Sequence, residues 1–175
     1  MSPASWSVRR LDAVDAAQID ELADLLIDCV EGGASVSFMH PLSPAKAVAF
    51  WQGIASDVRR GARALLVAED SSGIIGTVQL VLEQPENQPH RADVSKMLVH
   101  RRARRQGVGA ALMRVAELTA REYGRTLLVL DTVTGGDAER LYGRLGWVRV
   151  GAIPGYALMP RGGLCSTTVF YRDIG

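Results

Sequence analysis

An α+β fold built on one mixed sheet is predicted by three observations: the order of the elements, a hydrophobic content of 47% in 175 residues, and the lack of any linker, repeat or low-complexity stretch. A chain of this length can bury one sizeable core, so a single domain over 1–175 is expected. The elements read β-α-α-β-β-β-α-β-α-β-β.

The first strand is "SWSVRRLD", and "DAAQIDELADLLIDCVEGG" follows as an amphipathic helix. Asp15 and Gln18 have capping-box spacing, Ile19, Leu22, Leu26, Cys29 and Val30 recur at helical intervals, and Gly32 with Gly33 supplies a stop. The loop "ASVSFMHPL" leads to a second helix, "SPAKAVAFWQGIASDVRRG". There Ser43 is the N-cap, Pro44 takes the first helical position, Val48, Trp51, Ala55 and Val58 form the core stripe, and Gly61 ends it. "ARALLVAED" and "IIGTVQLVLE" flank the turn "SSG" as a hairpin, and "HRADVSKMLVH" is a further strand. A helix from Gly107 to Tyr123 turns Val108, Ala111, Leu112, Val115 and Leu118 inward and ends at Gly124. "TLLVLDT" reads as a buried parallel strand. A short helix from Asp137 to Leu145 closes at Gly146, and strands "WVRVGA" and "TTVFYRDI" are separated by the turn-rich "IPGYALMPRGG".

The net charge is +1, which gives no support to a general polyanion-binding role. Its distribution is uneven: residues 1–57 hold 8 acidic and 3 basic side chains, and residues 58–175 hold 11 and 17. An anion site in the later part is implied. Cys29 and Cys165 lie far apart without CxxC spacing or paired histidines, so neither a metal site nor a disulfide framework is indicated, and a reduced, cytoplasmic protein is expected. "MSPASWSVRR" lacks an apolar signal region, and no run approaches the ~20 apolar residues of a membrane span. No membrane partner is predicted.

The anion site has a candidate in "HRRARRQGVGAALM". Four arginines precede a helix whose first turn carries Gly107 and Gly109, which brings cations, unpaired N–H groups and the positive end of a helix dipole together without β-carbons to block a phosphate. A dinucleotide loop would need a third glycine where Leu112 stands, and a P-loop would need GxxxxGK[ST], which is absent. No stacking aromatics flank the run, so nucleic acid is not the partner predicted.

Arg104-x-x-Gly107-x-Gly109, following "ADVSKMLVH" and opening a helix, resembles the acyl-CoA pyrophosphate loop of the GNAT N-acetyltransferase superfamily. "AERLYGRLGW" is similar to that family's later AxxxYxxxGF/W element, and the element order matches its fold over essentially the whole chain. The resemblance implies a central, twisted, mostly antiparallel mixed sheet, acetyl-CoA as cosubstrate, no metal, and a small-molecule amine as acceptor; a homodimer is left open. "GGASVSFM", "LDT" and "PGY" further resemble a branch of the family that acetylates a β-lactam amino-acid toxin, which would make antibiotic resistance the role.

The resemblance also implies a slot between the strands of "SKMLVH" and "LLVLDT". There Met97, Leu98 and Val99 would offer free backbone to a pantetheine arm, as to an added strand. The pyrophosphate would lie on Gln106, Gly107, Val108, Gly109 and Ala110 beside Arg104, with Arg101, Arg102 or Arg105 left to reach the 3′-phosphate. Acetyl transfer needs a neutral amine, a donor for the oxyanion, here an N–H near Leu98, and a proton for the departing thiolate. Asp93 or Asp131 would be the base, as facing carboxylates, although Asp93 also has Arg91 within reach as a partner. Tyr142 matches the family's acid: a phenol at ~10 against a cysteine-type thiol at ~8.5 makes donation uphill by only about 2 kcal/mol. Ser35, Phe38 and Met39, in the loop Gly32 to Pro41, would meet the acceptor. Gly135 stands where many family members carry asparagine, which loses a contact to the cofactor and keeps a non-catalytic acyl-CoA-binding or sensing module as the alternative.

Overall fold

The structure, a computed structural model, describes residues 5–175; Met1 to Ala4, the start of the expected domain and of the N-terminal reading, lie outside the described residues. The strands are β1 (Ser7–Leu11), β2 (Arg63–Asp70), β3 (Gly73–Val81), β4 (Arg91–Val99), β5 (Leu127–Val133), β6 (Val148–Leu158) and β7 (Leu164–Asp173). The helices are α1 (Ala16–Glu31), α2 (Pro44–Arg59), α3 (Val108–Glu122) and α4 (Asp137–Arg144), with a 3-10 turn at Arg101–Ala103. The strands form one seven-stranded sheet, ordered β1-β2-β3-β4-β5-β7-β6, in which the β4–β5 pair alone is parallel. The mixed α/β fold expected from the element order is therefore present. No helix among the described residues is long and apolar enough to cross a membrane.

Strand alternation divides the core into two clusters. Leu65, Val67 and Leu98 pack with Leu22, Leu26 and Trp51 of α1 and α2 on one face. Leu66, Leu80 and Leu130 pack with Leu112, Met113 and Tyr142 of α3 and α4 on the other. The helix signals are used as read: Asp15 and Gln18 form a complete capping box, and the Ser43 hydroxyl accepts from the Lys46 N–H.

Two readings need correction. The inward stripe of α3 is rotated: Leu118 is 57% exposed, whereas Met113, Ala116 and Ala120 are buried with Leu112. The covered surface runs slightly to one side of the stripe chosen by hydrophobicity, because small alanines fit where the helix lies close to the sheet. The stretch "IPGYALMPRGG" is also mostly strand. β6 continues to Leu158, with an irregularity between Ile153 and Ala157, so its turn is confined to Met159–Gly163. Pro154 and Gly155 make an irregular edge strand, where a missing N–H and a positive φ are tolerated.

Much of the basic run is structural. Asp28 on α1 accepts from the Arg101 backbone N–H (2.9 Å) and from its guanidinium (2.8 Å), and Asp70 at the β2–β3 turn pairs with Arg102 at 2.6 Å. These pairs hold the chain between β4 and α3 in place. Burial works against ionisation of Asp28, but the Arg101 N–H and guanidinium outweigh it and keep the carboxyl below its ordinary range. The Arg102 guanidinium, then the Ser72 N–H, do the same for Asp70.

Carboxyls depressed in the folded state stabilise it above the unfolded pKa of about 4 and lose that contribution as pH falls through the lower folded value. Asp28→Asn is therefore expected to lower Tm at neutral pH and to flatten the loss of Tm between about pH 4 and pH 2, measured by thermal denaturation. On α3, Leu112→Ala is expected to cost about 2–5 kcal/mol in denaturant titration, and Leu118→Ala less than about 0.5 kcal/mol.

Candidate active site

Strands β4 and β5 pair only over Arg91–Asp93 with Leu127–Val129, and from Val94 onward they part. The register of β4 on β3 slips between Thr77 and Gln79, so that two steps on β3 match three on β4, from Ser95 to Leu98. Lys96, within that bulge, has a φ of 52°, a conformation uncommon for a side-chain-bearing residue. The bulge bends β4 away from β5 and leaves its backbone edge without a strand partner on that side.

The opening is a cavity of about 1080 Å³ that reaches Met97, Leu98 and Val99, the loop at Arg104 and Arg105, and Tyr142. Gly107, Val108, Gly109 and Ala110 line its other end. Gly107 caps α3 with a φ of 83° and no side-chain hydrogen bond, and the first intrahelical bond there is Ala111 N–H to Gly107 O at 3.0 Å. The amides ahead of it have no helical acceptor, and their residues line the cavity. A β-carbon on Gly109 would come within 3.1 Å of Leu141 Cδ2, so α3 and α4 approach closely at this glycine. A β-carbon on Gly107 would meet no atom within 4 Å, so this end of the cavity is open. Gln106 does not line the cavity; its amide donates back to Arg102 O. Of the candidate phosphate arginines, Arg101 and Arg102 are committed to Asp28 and Asp70, while Arg104 and Arg105 border the cavity.

Register assigns the chemistry-bearing residues to faces. Asp93 pairs with Val129, and Asp131 lies two residues beyond Val129, so both carboxylates project to the α1–α2 side. They line one hollow of about 440 Å³ together with Arg63, Ser95, Tyr156 and Thr167. Tyr142 is buried on the opposite, α3–α4 side. The slot thus separates an acidic side from a phenolic one.

The two carboxylates are not equivalent. Arg91 Nη1 donates to Asp93, and Gln84 Nε2 donates to its other oxygen at 3.1 Å, so Asp93 is held as an ion-pair partner. Asp131 accepts only from the Thr167 hydroxyl, at 2.7 Å. Of the two facing carboxylates, Asp93 takes the Arg91 partner that its sequence position allowed, and Asp131 has no ionic partner among the described residues. Burial, with a smaller contribution from the Asp131 charge, raises the Tyr142 phenol pKa well above its ordinary value. Burial therefore favours the neutral phenol and widens its gap to a thiolate beyond that of the free groups.

The acceptor loop differs from expectation. Ser35 lines the larger cavity, but its hydroxyl is spent on Leu158 O at 3.0 Å. Phe38 and Met39 line neither hollow: Phe38 stacks edge-on against Phe50 with ring centroids 5.2 Å apart, and Met39 points to solvent. The loop is fastened to the β6–β7 turn by His40 N–H to Pro160 O and by Arg161 to Glu31 O. Gly135 has a φ of 79°, and its N–H and C=O bond to Glu139 and Arg140 of α4. The left-handed backbone of this turn suits glycine and is also open to asparagine. Lys96, Arg63 and Thr167 escaped sequence reasoning, because a bulge and a strand register carry no local signal. Among the described residues no group of three or more His, Cys, Asp or Glu is placed to hold a metal.

Residues 61–149 match the family model of the acetyltransferase (GNAT) domain. Solved structures share the fold at low identity. An N-acetyltransferase of Staphylococcus aureus Mu50 superposes with a TM-score of 0.81 at 14% identity, covering 98% of this chain and 100% of that one. YncA of Salmonella typhimurium, solved with its cofactor acetyl-CoA, gives 0.79 at 17% identity over 98% and 95%. A protein assigned as a phosphinothricin N-acetyltransferase gives 0.78 at 19% identity over 98% and 99%. The slot between β4 and β5, the uncapped glycine entry to α3 and the family match agree, and the chain belongs to the GNAT acetyltransferase family.

Proposed function

We propose that the whole chain, 1–175, is one acetyltransferase domain that moves the acetyl group of acetyl-CoA to the amine of a small molecule. The observation that carries this is the uncapped start of α3, whose Gly107–Ala110 amides open onto the same cavity as the unpaired edge of β4. Acetyl-CoA supplies the activated thioester. Gly107, Val108, Gly109 and Ala110, with Arg104 and Arg105, hold its phosphates, and Met97 to Val99 offer backbone to its arm.

Asp131 takes the amine proton, because its second oxygen is free and Asp93 is engaged by Arg91 and Gln84. Tyr142 donates a hydrogen bond to the leaving sulfur from the α3–α4 side. The acceptor is an amino-acid-like toxin or antibiotic, a β-lactam such as tabtoxin being the narrowest reading; "GGASVSFM", "LDT" and "PGY" resemble tabtoxin resistance protein, and one fold neighbour is assigned to phosphinothricin. The cytoplasm, where the Cys29 and Cys165 thiols remain reduced, is its proposed location.

Release of CoA thiol over an amine panel tests the reading, and tight acetyl-CoA binding without turnover of any amine would favour a binding module instead. Asp131→Asn and Tyr142→Phe are expected to lower kcat by roughly 10²–10⁴-fold and about tenfold, respectively, with little change in acetyl-CoA affinity by calorimetry. Asp93→Asn is expected to have the smaller effect of the two carboxylate changes. Gly109→Val is expected to weaken acetyl-CoA binding by about a hundredfold, because its side chain presses on Leu141, Met97 and Val99 in the cavity wall.

A further inference from the structure

Four charged side chains border the acceptor side of the slot: Arg63, Asp93, Lys96 and Asp131. Two are neutralised within the protein. Arg63 Nε donates to Asp57 at 2.9 Å and its Nη1 to Gln79 at 2.9 Å, while Asp93 is paired with Arg91. The other two have no ionic partner among the described residues. The Lys96 ammonium donates to the neutral Ser37 hydroxyl at 3.1 Å and lies 5.9 Å from the centre of the Phe50 ring, and Asp131 accepts from a threonine. The Asp131 charge is near enough to act on the Lys96 ammonium, yet the two do not form an ion pair.

An unpaired lysine in a half-buried position is costly unless something compensates it. Burial, then the nearby Arg63 charge, destabilises the ammonium, and Asp131 offsets this only in part. The backbone at Lys96 is also held in a left-handed conformation within the bulge, and the side chain reaches Ser37 in the α1–α2 loop. A ligand that brings a negative charge to Lys96 and a positive one to Asp131 completes both groups at once.

We infer that Lys96 is the specificity residue for the acceptor, and that the acceptor is a zwitterionic amino acid whose carboxylate, or an equivalent oxyanion, sits on Lys96 while its amine faces Asp131. This deepens the acetyltransferase reading and rests on it. Polycationic amines such as aminosugars would place a second positive charge against Lys96 and are selected against. The same contact orients the amine: with the acid group fixed on Lys96, the adjacent nitrogen is the one presented to Asp131 and to the slot.

The test compares amines of one skeleton, each amino acid against its amide and its decarboxylated amine, by kcat/KM and by thermal stabilisation of the acetyl-CoA-loaded protein. The wild type is expected to favour the free acid by at least about tenfold, mainly through KM, and to be stabilised by it more than by the other two. Lys96→Met is expected to bring the ratio to within about threefold, and Lys96→Arg to keep most of the preference. Turnover of amines with no preference for the acid in the wild type, or an unchanged preference in Lys96→Met, overturns the role of Lys96 and leaves the acetyltransferase reading standing. No turnover of any amine overturns both. Should Lys96→Met not fold, the wild-type ratio and Lys96→Arg decide between these outcomes.

Discussion

Three residue pairs, Arg91 to Asp93 against Leu127 to Val129, are all that join β4 to β5, and the site depends on the pairing ending there. Continued pairing would consume the backbone of Met97 to Val99 in a ladder and leave no room between the two halves of the sheet. The bulge from Ser95 to Leu98 enforces the separation, because an extra residue cannot be absorbed on β4 without bending it. The resulting gap is flanked on one face by α1 and α2 and on the other by α3 and α4, so the two faces of the sheet become the two sides of a reaction slot.

Electrostatic pairing then sorts the polar groups around that slot into scaffold and machinery. Arg101 with Asp28 and Arg102 with Asp70 fix the connection that delivers α3, and Arg91 with Asp93 reinforces the last paired step of β4 and β5. Each such pair removes its members from the chemistry while locating others. Arg104 and Arg105 border the helix-entry end of the larger cavity, and Lys96 and Asp131 line it where β4 and β5 part, with no ionic partner among the described residues. Tyr142 differs from them in being buried against Trp147 and Phe170, where its phenol is kept protonated by the apolar surroundings.

The β6–β7 hairpin supplies the remaining wall. It is longer than its sequence suggests, since Pro154 and Gly155 look like turn residues and yet lie in an edge strand whose outer side needs no partner. Through Leu158, Pro160 and Arg161 its end is fastened to the loop between α1 and α2, which positions Ser35 and Ser37 and turns Phe38 into packing against Phe50. The loop expected to meet an acceptor is part of a braced rim.

Local chemistry determined the elements that depend on neighbours in the chain. The Asp15–Gln18 capping box, the Ser43–Pro44 helix start and the glycine entry to α3 are satisfied within a few residues, so spacing alone revealed them. Tyr142, Asp93 and Asp131 were also legible as candidates, through motif and strand position. The Arg91–Asp93 pair, two residues apart, was within reach of the sequence, whereas which arginines of the basic run are spent on carboxylates, which face of α3 is covered and where Lys96 points were decided only in the tertiary structure. Those outcomes depend on partners 32 to 73 residues away in pairs such as Arg102–Asp70 and Arg101–Asp28, and on a strand register that no local pattern encodes. Short-range hydrogen bonding writes itself into sequence; long-range charge pairing and sheet register become visible only when the chain has closed on itself.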